Sequence, residues 1–384
     1  MLPLEGITVV SLEQAVAAPF ATRQLADLGA RVIKVERPEG DFARKYDSKV
    51  KGMSSIFVWL NRSKESIVLD LKQEEGKKAL SKLLEKADVF VHNLAPGAVD
   101  RLGFGQEILE KNHPQLISCS ISGYGNDGPY KDKKAYDMLI QGEAGLMSIT
   151  GTKDTPSRAG ISIADIAAGM YAYTGVLTAL IQRSKTSKGV TLEISMLEAL
   201  SEWMSYPLLY TAYGETELQR TGSSHAGIYP YGIFELSEGP AVFLAIQNDR
   251  EWNRFCENVL KDEGVKADSR FATNSDRVAN STELRKLIER EFDEIGFEEV
   301  MTRLNDSGIA NGEMKNIEAV LEHPQLHHRN RWRETESPVG LIQTLIPPVT
   351  SAEISFKMTS VPELGEHTEA ILRELGMNVE QVKV

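Results

Sequence analysis

The chain has 384 residues, 41% of them hydrophobic, enough to bury a sizeable core and, at about 150 residues per domain, to build two or three domains. Forty-three Lys and Arg against 55 Asp and Glu leave a formal charge of −12, and no basic run offsets it locally, which argues against nucleic-acid binding. The start MLPLEGITVVSLEQ lacks the marks of a signal peptide, and Cys119 and Cys256 are too few for a disulfide framework, so a reducing, cytoplasmic compartment is expected.

Residues 7–12 (ITVVSL) form a β-branched apolar run, residues 19–28 carry helical periodicity, and residues 31–35 (RVIKV) predict a second strand after Gly29, together a β-α-β unit. The pattern repeats with a strand at 66–71, a charged helix at 74–86, a strand at 88–92 and, after another helix, a strand at 116–121. Such alternation predicts an α/β fold with a mostly parallel sheet, ligands meeting the loops at the strands' carboxyl ends. The weakly charged stretch 159–182 is interrupted by Asp165 and rich in Gly and Ala, so it reads as a buried helix and not as a membrane span. Ile163, Ile166, Met170, Tyr173 and Leu177 set its helical spacing over 162–183; the strand VTLEIS and a helix at 196–205, stopping before Pro207, follow. Polar residues 213–222 (YGETELQRTG) predict a linker. Beyond it, 229–246 reads as short strands, 249–260 and 270–305 as helical, and the loop-rich end from Ser337 carries a final helix at 366–375.

The hexapeptide Gly123-Tyr-Gly-Asn-Asp-Gly128 matches G-x-G-x-x-G after a strand, with Glu143 placed as a ribose ligand. It runs into Pro129, however, and a pyrophosphate site needs those glycines to open a helix, so a turn is the expected reading. His323, His327 and His328 lack a completing Cys or carboxylate, and no metal site is expected. There is no G-x-S-x-G elbow, no P-loop and no activated cysteine. What stands out is Asp165, a lone acid near the start of an apolar helix. It is either an N-cap or a carboxylate nucleophile, and a helix N-terminus holding it ionised would also offer N–H groups to an oxyanion. Pattern alone leaves both open.

The segments PLEGITVVSLEQAVAAPFATRQLADLGARVIKVERPEGD, ADVFVHNLAPGAVDRLGFG, ISGYGNDGPYKDKKAYDMLIQGEAGLMSITG, GISIADIAAGMYAYTGVLTALIQRSKTSKG, HPQLHHRNRW and VPELGEHTEAIL, in this order, resemble the class III CoA-transferases, the carnitine-dehydratase and bile-acid-inducible group. The resemblance runs nearly end to end. It implies a large Rossmann-like domain built from both chain ends (1–212 and 326–384), a linker at 213–225, a smaller α+β domain at 226–325, and a homodimer of interlocked rings. It implies no permanent cofactor, coenzyme A acting as cosubstrate, and acyl-CoA and carboxylic acids as partners, with no nucleic acid and no membrane.

By the same resemblance, Asp165 falls on the catalytic aspartate, which attacks an acyl-CoA thioester to give an anhydride and then an aspartyl-CoA thioester. Arg37, Arg101 and Lys134 match positions contacting the nucleotide end of CoA; Leu69, Asn93, Leu94 and Leu102 match the adenine and ribose pocket; Ala15 matches a position beside the pantetheine. Without the resemblance, Leu69 reads as core and the three cations as solvated surface. Val16 replaces a polar Gln of a formyl-CoA member, and that member's glycine-rich lid has no counterpart, which leaves the oxyanion donor unassigned and argues against formate and oxalate. Tyr136, followed by Asp137, stands where α-methylacyl-CoA racemases carry a His, and a phenol with pKa about 10 is a poor base near neutral pH. Racemization and, from another class, non-catalytic acyl-CoA binding are the alternatives. RTGSSHAGIYPYGIF and RNRWRETESPVG resemble members using C4–C5 dicarboxylates such as mesaconate, succinate, itaconate, malate or citramalate. His225, ahead of Arg250 and Arg220, is the candidate for a second carboxylate, and each also reads as a salt-bridged surface residue.

Overall fold

The computed structural model describes residues 2–214, 217–380 and 382. Six parallel strands, β1 Thr8–Leu12, β2 Arg31–Glu36, β3 Lys64–Val68, β4 Val89–His92, β5 Ile117–Ser122 and β6 Thr191–Ser195, form one sheet in the order β3-β2-β1-β4-β5-β6. The order reverses between β1 and β4, and at such a switch point a doubly wound sheet opens a crevice above its carboxyl ends. Val9, Val10, Phe90 and Ile117 are fully buried, as near-continuous apolar runs in a covered parallel sheet must be.

Helix α1, Ala17–Asp27, leads from β1 to β2, and α2, Glu74–Leu84, from β3 to β4. Between β5 and β6 the chain forms α3, Asp137–Glu143, and the long helix α4, Ile163–Thr186; α5, Met196–Trp203, follows β6. By length and composition α4 could cross a membrane, but its stripe of Ala164, Ala167, Ala168, Ala172 and Val176 is buried and the helix packs on α1, α5, β5 and β6. A Cβ on Gly169 would lie 2.7 Å from the Ala17 carbonyl oxygen and 3.0 Å from the Phe20 ring, so glycine sets how closely α4 approaches α1. The chain end returns to the sheet: the His367 N–H donates to the Ser66 carbonyl (2.9 Å), the Val68 N–H to Thr368 Oγ1 (3.0 Å), and Arg31 forks between Glu65 and Glu374.

The chain divides into one unit of residues 1–144, 159–205 and 325–384 and another of residues 145–158 and 206–324. In the second, β7 Tyr231–Phe234, β8 Val242–Ala245 and β9 Ala310–Glu313 pair antiparallel, and Phe234, Trp252, Phe255 and Phe292 anchor the core.

Four details differ from the sequence reading. Strand β3 starts at Lys64, two residues before the apolar run, because the ammonium is buried on an ion partner and not in solvent. It leaves the ladder after Val68. Pro207 does not end the helical region: α6, Ser205–Gly214, begins just before it, and a proline in a first turn forfeits no helical hydrogen bond. The expected linker therefore begins as helix, and residues 145–158 and 206–212 belong to the second unit. The loop-rich end contains an antiparallel hairpin, Trp332–Thr335 with Ile342–Leu345.

Gly169→Ala is expected to lower the unfolding free energy by about 1–3 kcal/mol through overpacking against Ala17, despite alanine's better helix propensity. Gly175→Ala in the same helix meets only Leu192 at 3.4 Å and is expected to be neutral or stabilising by up to about 1 kcal/mol. Urea unfolding of the two variants checks the contrast; equal destabilisation would contradict it.

Candidate active site

The loop after β1 is held from below by buried charges. Lys64 Nζ donates to Glu13 Oε1 at 2.6 Å, Lys34 Nζ donates to Asp41 Oδ2 at 2.8 Å and lies 3.4 Å from Glu13 Oε1, and Thr22 Oγ1 donates to Glu13 Oε2 at 2.5 Å. All four charged side chains are sealed from solvent. Two cations and two anions cancel, which is what makes their burial tolerable. Burial lowers Lys64 to about 8, with Glu13 opposing it, while the lysines outweigh burial at Glu13 and hold it below the usual carboxylate range.

Above this base, Gln14 and Asn93 tie β1 to β4 across the switch point. The Gln14 N–H donates to Asn93 Oδ1 (2.9 Å) and Asn93 Nδ2 donates to the Gln14 carbonyl (2.8 Å). Ala15 sits at φ +60°, the left-handed region, and its N–H donates to Asp41 Oδ1 at 3.2 Å. Val16 is the N-cap of α1, so the N–H groups opening that helix have no intrahelical acceptor.

Asp165 is the third residue of α4. The cap position belongs to Ser162, which makes no side-chain capping bond; instead Asp137 Oδ1 accepts from the Ala164 N–H at 2.8 Å, and its Oδ2 accepts from Gln141 Nε2 at 2.7 Å. The N-cap reading of Asp165 is thus overturned, because α3 supplies the cap from outside the helix. Asp165 precedes Gly169 by one turn and so shares the face that meets the start of α1. Among the described residues its carboxylate makes no hydrogen bond. Burial, with Asp137 adding repulsion, pushes it up to about 7. Against the expectation that the helix N-terminus keeps it ionised stand burial and the Asp137 charge, both of which favour the protonated form.

One neighbour escaped sequence reasoning. Tyr46, just beyond the 3-10 helix Phe42–Lys45, is raised by burial and then by the charges of Asp41, Asp165 and Tyr136, so these groups share one electrostatic neighbourhood. No motif marks Tyr46 in the sequence.

The remaining expected residues are more dispersed. Leu69 is 1% exposed in the hydrophobic core, with Leu94 and Leu102 packed against the same cluster. Arg37 is exposed, its Nε donating to the Gly40 carbonyl, and Lys134 is exposed. Arg101, ending the short helix Ala98–Arg101, lines with Leu94 a cleft of about 420 Å³ that extends to Ser120, Asn126 and Glu193. Tyr136 is 68% exposed. In the second unit, His225 stacks on Tyr231 and its Nδ1 accepts from the Gly227 N–H at 3.0 Å. Arg220 is spent on the carbonyls of Ser148, Thr152 and Lys153, which removes it as a substrate ligand; Arg250 is exposed. The 123–128 hexapeptide forms bends with Gly125 at φ +97° and opens no helix, and Glu143 pairs with Lys133, so neither serves a pyrophosphate or ribose.

Asp165 releases its proton near 3.8 in an unfolded chain but near 7 in the folded one, so the stability it contributes is complete below pH 3.8 and is lost as pH rises through about 7. Asp165→Asn is therefore expected to raise the unfolding free energy by about 2–4 kcal/mol at alkaline pH and to change it little in acid. Urea titrations at both ends of this window check it; a difference independent of pH would contradict the assignment.

A family model described as CoA-transferase family III matches residues 4–368. The chain is 35% identical to a succinyl-CoA:glutarate CoA-transferase of Homo sapiens, over 97% of this chain and 86% of that protein. It is 34% identical to an acetyl-CoA:oxalate CoA-transferase of Acetobacter aceti, over 85% of each. The crystal structure of a CAIB/BAIF family protein from Brucella suis superposes with a TM-score of 0.85 at 34% identity, covering 97% of this chain and 99% of that one. With its six-stranded parallel sheet and this match from residue 4 to residue 368, the chain is an enzyme of CoA-transferase family III.

Proposed function

We propose that the enzyme moves CoA between an acyl-CoA thioester and a C4–C5 dicarboxylic acid, with Asp165 as the nucleophile. The observation that carries this reading is the Asp165 carboxylate, half-buried, without a counter-charge or hydrogen bond among the described residues, on the face of α4 that meets the start of α1. A structural carboxylate in such surroundings would be paired. An unpaired one is basic and poorly solvated, and once ionised it attacks a carbonyl more readily than a carboxylate in water.

The carboxylate oxygen adds to the thioester carbonyl and CoA leaves as thiolate, giving a mixed anhydride. The thiolate then attacks the Asp165 carbonyl of that anhydride, the donor carboxylate departs, and an aspartyl-CoA thioester remains. The acceptor carboxylate reverses both steps. Each addition places negative charge on a carbonyl oxygen, and the unspent N–H groups at the start of α1 are suited to receive it. Val16, Tyr136 and Asp137 would border the acyl group, Asp137 chiefly by holding the start of α4.

In this reading Ala15 lies along the pantetheine, and Arg37, Arg101 and Lys134, all exposed, meet the phosphates. Asn93, Leu94 and Leu102 border the nucleotide, and the buried Leu69 acts as packing beneath it. His225 would take the acceptor's second carboxylate. Its Nδ1 already accepts a hydrogen bond, so the neutral ring carries its proton on Nε2, outward as a donor. The human relative that uses succinyl-CoA and glutarate favours dicarboxylates; the oxalate-using relative makes oxalate the necessary competitor in any test. The two free, buried cysteines suit a reducing compartment such as the cytoplasm. A homodimer is proposed because α6 leaves Tyr206, Leu208, Leu209 and Tyr213 exposed, an apolar face for a second copy to cover.

Mass spectrometry after incubation with a panel of dicarboxyl-CoA thioesters and hydroxylamine is expected to find a CoA adduct or hydroxamate on the Asp165 peptide. Deuterium entering the α-carbon in heavy water with no adduct would replace this reading by racemization, and thioester binding with neither by a non-catalytic role. Asp165→Ala is expected to lower transfer by at least about a thousandfold while the fold survives. The parent's kcat/KM is expected to rise with pH through about 7 as Asp165 ionises. Light scattering on the eluting protein is expected to give twice the chain mass; a clean monomer would contradict the dimer.

A further inference from the structure

We infer that Asp41 is a positioning residue for the reaction, and that the buried Lys34–Asp41 pair exists to hold Ala15 in the left-handed conformation that sets the start of α1, the segment packed on the Asp165 helix at Gly169. The inference rests on the reading of Asp165 as nucleophile.

One carboxylate ties down two segments, the turn at Ala15 and the start of the 3-10 helix that leads to Tyr46. Asp41 Oδ1 accepts from the Ala15 N–H (3.2 Å) and from the Ala43 N–H (2.9 Å), which starts the 3-10 helix leading to Tyr46. Asp41 Oδ2 accepts from Lys34 Nζ (2.8 Å), and the Asp41 N–H donates to Glu36 Oε2 (3.0 Å). Both side chains of the pair are sealed from solvent, and Lys34 projects from β2, so the carboxylate is anchored to the sheet itself. Ala15 needs such an anchor. At φ +60° an alanine is strained where a glycine would not be, and such residues persist only when their surroundings over-determine them. Its carbonyl side is fixed by α1 and its amino side by the Gln14–Asn93 exchange, which leaves the Ala15 N–H as the point where the turn is decided.

The consequence is directional. If Ala15 relaxes to an extended conformation, the N–H groups of Val16 and Ala17 swing away while the rest of α1 stays packed on α4 through Gly169. Binding of CoA, spread over many distant contacts, should survive such a change. The addition steps, which need N–H groups aimed at one oxygen, should not.

Removing Asp41 alone would strand the Lys34 charge, so the test uses pairs. Lys34→Met with Asp41→Asn removes the buried charges and keeps an oxygen for the Ala15 and Ala43 N–H groups; Glu13 retains Lys64. Lys34→Met with Asp41→Ala removes the charges and the acceptor together. The first pair is expected to keep kcat within about threefold of the parent and the second to lose about 100-fold in kcat, with KM for the CoA thioester within about threefold in both. Kinetics are read at a temperature where urea unfolding shows both folded. Equal kcat in the two pairs, or a loss carried entirely by KM, would overturn the inference. Ala15→Pro provides an independent arm that leaves the buried pair intact: it removes the N–H and forbids positive φ, and unchanged kcat would also overturn the inference. Failure of the nucleophile reading is recognised separately, since the parent would then give no hydroxamate on the Asp165 peptide. Failure of this inference alone would leave that hydroxamate present in the parent and equal in both pairs.

Discussion

Lys34 and Lys64 can lie beneath one sheet only because Glu13 and Asp41 are buried with them. A single buried ammonium would release its proton or unfold its surroundings; two ammoniums facing two carboxylates form a neutral group whose members hold one another in place. Glu13 is the residue that follows β1, and Asp41 starts the 3-10 helix after β2. Their positions therefore fix where the chain goes at the carboxyl ends of two neighbouring strands, and with it the loop carrying Ala15 and Val16. The polar interior that secures the fold also shapes the site.

Asp165 follows the opposite rule. Among the described residues its carboxylate has no counter-charge, its helix is capped from elsewhere by Asp137, and burial pushes it up to about 7. That costs stability, a cost consistent with a group retained for reactivity. Its place depends on a small contact: Gly169, one turn along α4, admits the Ala17 carbonyl and so brings the start of α1 within reach. A branched residue at 169 would push the start of α1 away from α4.

Much of this was legible in the chain. Strands β1, β2 and β4 announce themselves as short apolar runs rich in β-branched residues because both faces of their sheet positions are covered. Asp165 stands out because an acid in an apolar helix has few innocent explanations. The start of β3 was hidden by Lys64, whose charge reads as surface until its partner, 51 residues earlier, is known. Pro207 was misleading because a helix-breaking residue inside a helix is a helix-permitting one in its first turn. Tyr46 carries no pattern at all.

The sequence by itself determined the alternation of strands and helices, the acid in the apolar helix and the family resemblance, since these depend on local composition and on order along the chain. Tertiary structure alone decided which charges are buried together, that Asp137 and not Asp165 caps the long helix, and that the Ala15 N–H at positive φ meets the buried Asp41 carboxylate. Periodicity records which face of an element is apolar. It does not record which polar groups from distant segments meet once water is removed, and the chemistry of this site lies in those meetings.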